Sequence, residues 1–232
     1  MSRYAKQTIR VLLILVSDSQ LSVAEIFYSI QGESSYAGYP CFFIRLAGCN
    51  LRCTYCDTSY AYEEDHLRYN VDQILTELEE YPNVLVEITG GEPLLQSGAY
   101  PLMDQLLASG RTVLLETNGS INLRGVPEKV VKIMDVKCPG SGMHDRMDFN
   151  NFSYLNSNDE IKFVISSRQD YDWAVKLVDD YALQHVVTVT FSPVISALSP
   201  ADLAGWILED HLPVRLRMQL HTIIWPDKTK GY

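Results

Sequence analysis

The chain has 232 residues, 47% of them hydrophobic, which is enough to fill one domain with a core and too many for disorder. Its formal charge of −10 argues against a grip on nucleic acid, which needs a basic surface, and no apolar run reaches the roughly 20 residues that span a bilayer. Five cysteines, an odd number, do not make a disulfide scaffold, so the chain reads as a reduced, cytoplasmic protein whose clustered thiols serve a metal or a reaction.

The N-terminal stretch "RVLLILVSDSQ" has an apolar run shorter than the about 7–15 residues of a secretory signal. Residues 1–22 therefore read as an extension: a loose arm, a mis-assigned start or an extra edge strand. A single domain follows over 23–232. "CFFIRLA" (41–47) reads as a buried strand. In "NVDQILTELEEY", Asn70 is placed to cap a helix with Val71, Ile74, Leu75 and Leu78 on one face. "NVLVEIT" (83–89) is a strand, and "YPLMDQLLASG" is a helix ending at Gly110. "RTVLLET", "VVKIMDVK" and "EIKFVIS" are strands that end at Thr117, Lys137 and Ser166. A helix over "QDYDWAVKLVDDYAL", a strand over "HVVTVTF" and a helix over "PADLAGWILEDH" come next, the last capped by Ser199 with Pro200 at its first position. "VRLRMQL" (214–220) closes the series as a seventh strand.

Strand–helix alternation argues for an α/β fold with a mainly parallel sheet. Seven strands with too few helices suggest an open, partial (β/α) TIM-like barrel. In such folds the chemistry sits at the C-terminal ends of the strands. The loop "LAGCNLRCTYCDTSY" starts at one of these ends and carries Cys49, Cys53 and Cys56. A structural zinc normally takes four ligands, often as two C-x2-C pairs, and no second pair exists here. A thioredoxin-type pair would leave Cys49 without a role. Three thiolates on a 4Fe-4S cluster would leave one iron open, which is what catalysis at a metal needs. The spacing favours the cluster, with zinc as the alternative. Cys41 and Cys138 stand alone and read as core or surface thiols.

The Cys49-x3-Cys53-x2-Cys56 motif, with Tyr55 before the last thiol, resembles the signature of the radical S-adenosylmethionine (SAM) superfamily. The resemblance implies a [4Fe-4S] cluster whose open iron is chelated by SAM and a 5′-deoxyadenosyl radical that takes a hydrogen from substrate. It also implies cofactor contacts. "ITGGEP" would supply Gly91 and Glu92, and "ETNG" would supply Glu116 and Asn118 near the ribose. Asp135, Val136 and Lys137 of "DVKCPGSG", with Lys162 and Val164 of "IKFVI", would complete the set.

"EIFYSIQGESSYAGYPCFFIRLAGCNLRCTYCDT" and "QLH" (219–221) together resemble the 7-carboxy-7-deazaguanine synthase family over about nine-tenths of the chain. That family converts 6-carboxy-5,6,7,8-tetrahydropterin to 7-carboxy-7-deazaguanine with loss of ammonia, on the route to queuosine and other 7-deazapurines. The resemblance implies a pterin subsite of Ile30, Gln31, Gly32, Glu33, Arg45, Thr89 and His221, and Mg2+ on Thr58. A guanidinium fork suits a pterin carboxylate, and Gln31 and Glu33 suit the ring edge. His221 reads as a strand residue. The resemblance further implies a flavodoxin or ferredoxin-type reductant and a homodimer. Two rivals remain at this level. One is a glycyl-radical-enzyme activase, which would not need "QGE", Arg45 or "QLH". The other is a non-catalytic Fe-S or zinc protein, which would not need cofactor segments at successive strand ends.

Overall fold

A computed structural model describes residues 20–231. Among them lies one nine-stranded sheet in the order β3-β1-β2-β4-β5-β6-β7-β8-β9. The strands are β1 (Leu21–Ile30), β2 (Pro40–Leu46), β3 (Leu67–Tyr69), β4 (Leu85–Gly90), β5 (Val113–Thr117), β6 (Val131–Val136), β7 (Glu160–Ile165), β8 (Thr188–Pro193) and β9 (Arg215–Leu216). From β2 to β9 every pairing is parallel, while β1 runs antiparallel to both β2 and β3. The six α-helices among the described residues are α1 (Tyr60–Glu63), α2 (Val71–Leu78), α3 (Ala99–Ala108), α4 (Arg168–Asp180), α5 (Pro200–Glu209) and α6 (Leu220–Ile224). No described helix is long and apolar enough to cross a membrane.

The strands sort their side chains by strict alternation, because successive residues of a strand point to opposite faces. Phe42, Ile44 and Leu46 of β2, Val86 and Ile88 of β4, and Ile161, Phe163 and Ile165 of β7 join the main core with α2, α3, α4 and α5. The opposite face starts apolar, where Leu114, Val131 and Ile133 pack with Tyr36. Towards the C-terminal strand ends it turns polar: Arg45, Glu87, Thr89, Glu116, Asp135 and Lys162 all occur at inward positions. These inward and outward side chains thus obey one period, and the polar ones gather where the loops enter.

Local chemistry sets the helix ends. Asn70 accepts from the Gln73 amide while Gln73 returns a bond to the Asn70 amide, a complete capping box on α2. Ser199 accepts from the Ala201 amide with Pro200 at the first turn of α5. Gly110 has φ +81° just beyond α3, a conformation that costs glycine little.

The structure differs from the sequence-based reading at both ends of the chain, and it adds the short strand β3 to the seven expected. β1 is a ten-residue strand whose first residue, Leu21, is fully buried, so the fold takes in residues assigned to the extension. The remainder of that extension, residues 1–19 with most of "RVLLILVSDSQ", lies outside the described residues. At the other end, the strand expected over 214–220 shrinks to Arg215–Leu216, and His221 lies in α6. The bonds at this point are long-range in sequence: the Leu220 amide donates to Gly32 O at 3.0 Å and Gln219 Nε2 to Glu33 Oε1 at 2.8 Å, which ties the chain to the loop after β1 instead of the sheet edge.

Candidate active site

The polar strand ends open into a cavity of about 950 Å³. Of the residues singled out in the sequence, all line it except Glu92 and Val136. Val136 is an outward residue of the core, and Glu92 is fully buried beneath the cavity wall. The Glu92 carboxylate accepts from the Leu94 and Asn118 amides and the Thr117 hydroxyl, so it ties the "GGEP" turn to the end of β5. In this structure the carboxylate is engaged by backbone and hydroxyl donors of the two turns.

The cysteine loop crosses the mouth of the barrel and is pinned at both sides. Gly48 (φ +86°) turns the chain out of β2, its amide donating to Ala61 O at 2.7 Å. The Thr54 amide and hydroxyl bond Ser141 O and Gly140 O, and Tyr55 OH donates to Val164 O at 3.2 Å. Register brings the next turn alongside, since Leu46 pairs with Gly90. A Cβ on Gly91 would sit 2.2 Å from Gly48 O and 2.8 Å from Cys49 Cβ, so only glycine lets the two turns approach.

Cys49 and Cys53 are partly buried and Cys56 is exposed. Cys49 Sγ accepts from the Leu51 amide at 3.4 Å and from Asn118 Nδ2 at 3.8 Å. Burial raises the pKa of both inner thiols, and Lys137 opposes that shift. Three thiols on one loop, with N–H donors to Cys49 Sγ and the Lys137 ammonium nearby, form a donor set that fits a polynuclear cluster in which each thiolate takes its own iron. Cys41 and Cys138 are fully buried, and burial pushes both thiols well up, as expected of inert core groups.

Beside the thiols lies a hub of charge. Lys162 Nζ is 2.5 Å from Glu33 Oε2, 2.6 Å from Glu116 Oε1 and 3.4 Å from Asp135 Oδ2. Lys137 Nζ is 2.9 Å from the same Asp135 oxygen. Burial raises the Asp135 pKa, but the two ammonium groups outweigh it and hold the carboxyl below its usual range. Burial likewise opposes the charge on Lys162, and its three acidic neighbours overcome that and push it well above the lysine range. Asp135 Oδ1 is buried without a hydrogen-bond partner in the structure. An acceptor left open on the wall of a cavity fits a ligand that brings donors, such as the amino or hydroxyl groups of SAM.

The "QGE" segment forms the facing wall. Gln31 Oε1 accepts from the Glu33 and Ser34 amides at 2.7 and 3.0 Å, and Gln31 Nε2 donates to Glu87 Oε2 at 2.8 Å. Both ends of this side chain thus have protein partners, in the loop and on β4, and Gln31 lines the cavity. His221 packs on the loop so closely that a Cβ at Gly32 would come within 2.8 Å of its Nδ1. Thr89 Oγ1 donates to Glu116 Oε2 at 3.2 Å. Arg45 is engaged by Glu25 through Nε at 2.7 Å. Thr58 Oγ1 donates to Asp57 Oδ1 at 2.7 Å on the rim.

Sequence reasoning missed three groups in this wall: Glu25, Tyr60 and Glu87. Glu87 was legible in one respect, as an acid two residues before Thr89 and so on its face of β4. It is buried, and desolvation together with Glu116 and Glu33 raises its pKa to about 8, so it holds its proton at neutral pH.

Comparison with known proteins agrees with this geometry. Residues 43–204 match the family model of the Radical SAM superfamily, which makes the cluster and SAM the cofactors of this fold. Curated 7-carboxy-7-deazaguanine synthases from Koribacter versatilis and Chlorobaculum tepidum are 46% and 43% identical to it. The alignments cover 91% and 93% of this chain and 100% and 99% of those relatives. The chain belongs to the 7-carboxy-7-deazaguanine synthase family. The crystal structure of QueE from Escherichia coli shares the fold, with a TM-score of 0.75 at 23% identity over 89% of this chain and 97% of that one.

Proposed function

We propose that this chain is a radical SAM lyase that converts 6-carboxy-5,6,7,8-tetrahydropterin to 7-carboxy-7-deazaguanine and ammonia. The observation that carries the reading is that one cavity is lined by three thiols, an acid–ammonium hub and a half-buried arginine. Activases and inert iron–sulfur proteins need no such second wall.

With the cluster and SAM bound, the chemistry they supply is abstraction of a hydrogen from substrate C6. The protein's own residues bind and orient. Cys49, Cys53 and Cys56 ligate the cluster. Gly91 leaves room for the methionyl end of SAM, with Asn118, Asp135, Lys137 and Val164 along the remainder of the cofactor and Glu116 near its ribose. Arg45 takes the substrate carboxylate in a fork. Glu33 accepts from ring N–H groups beside the backbone of Ile30 and Gly32, with Thr89 and His221 closing the subsite. Lys162 touches both the carboxylate for the pterin and the one for the ribose, so it holds the two subsites in register. The protonated Glu87 keeps a further negative charge out of a wall that must take an anion.

Thr58, with Asp57 beside it, offers hard oxygen donors suited to Mg2+, which would keep waters and take an oxygen from substrate. The reductant in this reading is a flavodoxin or ferredoxin, the assembly a homodimer, and the product feeds 7-deazapurine synthesis such as that of queuosine in the cytoplasm. The test is anaerobic incubation of reconstituted protein with dithionite, SAM, Mg2+ and the carboxypterin. The expected result is 7-carboxy-7-deazaguanine by mass spectrometry, with SAM undiminished. SAM cleavage without that product would contradict the assignment.

A further inference from the structure

Glu25 lies on β1 directly opposite Arg45 of β2, next to a register shift between Val23 and Glu25. An irregularity of this kind re-aims side chains. The carboxylate meets three elements at once. Oε1 accepts from Arg45 Nε at 2.7 Å and from Tyr60 OH at 2.5 Å, and Oε2 accepts from the Gly231 amide at 3.1 Å. The C-terminal segment is held further by Lys230, which pairs with Glu64 at 2.6 Å and lies 4.4 Å over the Tyr60 ring. Thr229, Lys230 and Gly231 line the same cavity as Arg45.

We propose that Glu25 is a positioning residue for the substrate carboxylate, aiming the Arg45 fork into the cavity and latching the C-terminal segment over the same subsite. The inference rests on the reading of Arg45 given above. The Glu25 bond engages Nε and not the Nη1/Nη2 edge, and that edge can still take a carboxylate with two parallel bonds. Fixing the stem of a flexible arginine removes entropy that the substrate would otherwise have to remove. The Phe27 and Tyr60 rings, 5.7 and 6.0 Å from the guanidinium carbon, restrict it from the sides. Because the carboxylate that aims Arg45 also accepts from the Gly231 amide, ordering of the arginine and closure of the tail are linked.

The test is calorimetric titration of anaerobically reconstituted, unreduced protein, so that no turnover occurs. The ligands are SAM, the 6-carboxylated pterin and a pterin lacking the carboxylate, and the variants are Glu25→Ala and Glu25→Gln. Wild type binds the carboxylated pterin more tightly than the other. Glu25→Ala weakens the carboxylated pterin on the order of tenfold, as expected for a lost charge-assisted bond, and leaves the other pterin and SAM unchanged. Hydrogen exchange of the Gly231 amide speeds up in both variants, since a glutamine oxygen can hold Arg45 Nε but has no second oxygen for Gly231. Wild-type affinity for the carboxylated pterin in Glu25→Ala, equal weakening of both pterins, or unchanged exchange at Gly231 in Glu25→Gln overturns the proposal. A wild type that does not distinguish the two pterins defeats the reading of Arg45 itself, and the proposal with it. Retained SAM binding certifies that each variant is folded.

Discussion

Lys162 Nζ stands between Glu33 and Glu116, 2.5 Å from one carboxylate and 2.6 Å from the other. The two acids come from the "QGE" loop and the end of β5, so a single ammonium joins the walls assigned to substrate and cofactor. With its side chain 7% exposed, Lys162 is a buried partner whose removal leaves uncompensated charge. Lys162→Met should cost about 3 kcal/mol of stability, read from denaturant unfolding, and should weaken both pterin and SAM binding. Loss confined to one ligand would show that the ammonium serves a single subsite.

Arg45→Lys keeps the charge and loses the fork. The pterin carboxylate should bind about 10-fold or more weakly, because a lysine offers one point charge in place of two parallel donors. SAM affinity should stay at the wild-type level. Unchanged affinity for the carboxylated pterin would remove Arg45 from the subsite.

Gly91→Ala tests the contact of the two turns. An added methyl would overlap Gly48 O at 2.2 Å, a backbone atom that cannot swing aside. The cysteine loop must then shift away from the "GGEP" turn. The variant should fold, retain its sheet by circular dichroism, and bind SAM at least 10-fold more weakly, in line with a cost of about 1–3 kcal/mol for overpacking. Wild-type SAM affinity would show that the close approach has no bearing on the cofactor.

Glu87 carries a pH signature. Its native pKa of about 8 lies above the ordinary carboxyl value of 4.5, so between these limits the unfolded chain has lost a proton that the native chain keeps. Stability contributed by this group therefore falls as pH rises from about 4.5 to 8 and levels off above. Glu87→Gln retains the acceptor for Gln31 Nε2 and has nothing to titrate. Its stability relative to wild type should rise across that window, by a few kcal/mol at most, and be flat beyond it. A difference that does not change with pH would mean that Glu87 is ionised in the native protein.

How far the sequence carried the fold follows from which signals are local. The six strands read from apolar runs between Cys41 and Phe191 are present, because buried parallel strands are continuous hydrophobic segments, whereas "VRLRMQL" keeps only the exposed pair Arg215–Leu216. The caps at Asn70 and Ser199 and the end of α3 at Gly110 follow from the chemistry of single residues. β1 escaped because "LSVAEIFYSI" mixes apolar and polar residues and was read as a motif; its partners, β2 and β3, are set by pairing rather than by its own pattern. The turn of 219–221 into α6 depends on Gly32 and Glu33, nearly 190 residues upstream, so no local signal marks it. In the site, residue identity was legible and the direction of bonding was not. Gln31 could read a ring edge by its chemistry, yet Glu87 and two amides engage both of its ends. Glu92 sits in the right motif, but its carboxylate caps and ties backbone under the wall. Glu25 needed the register of β1 on β2 before it could be linked to Arg45.

The central claim is that Cys49, Cys53 and Cys56 leave one iron for SAM. It is tested most directly by electron–nuclear double resonance on the reduced, reconstituted protein with SAM labelled at its amino nitrogen and carboxylate. The account predicts coupling of both labels to the cluster, and its loss together with the cluster in Cys53→Ala. A cluster with no coupling to either label, or a tetrahedral zinc in its place, would contradict it.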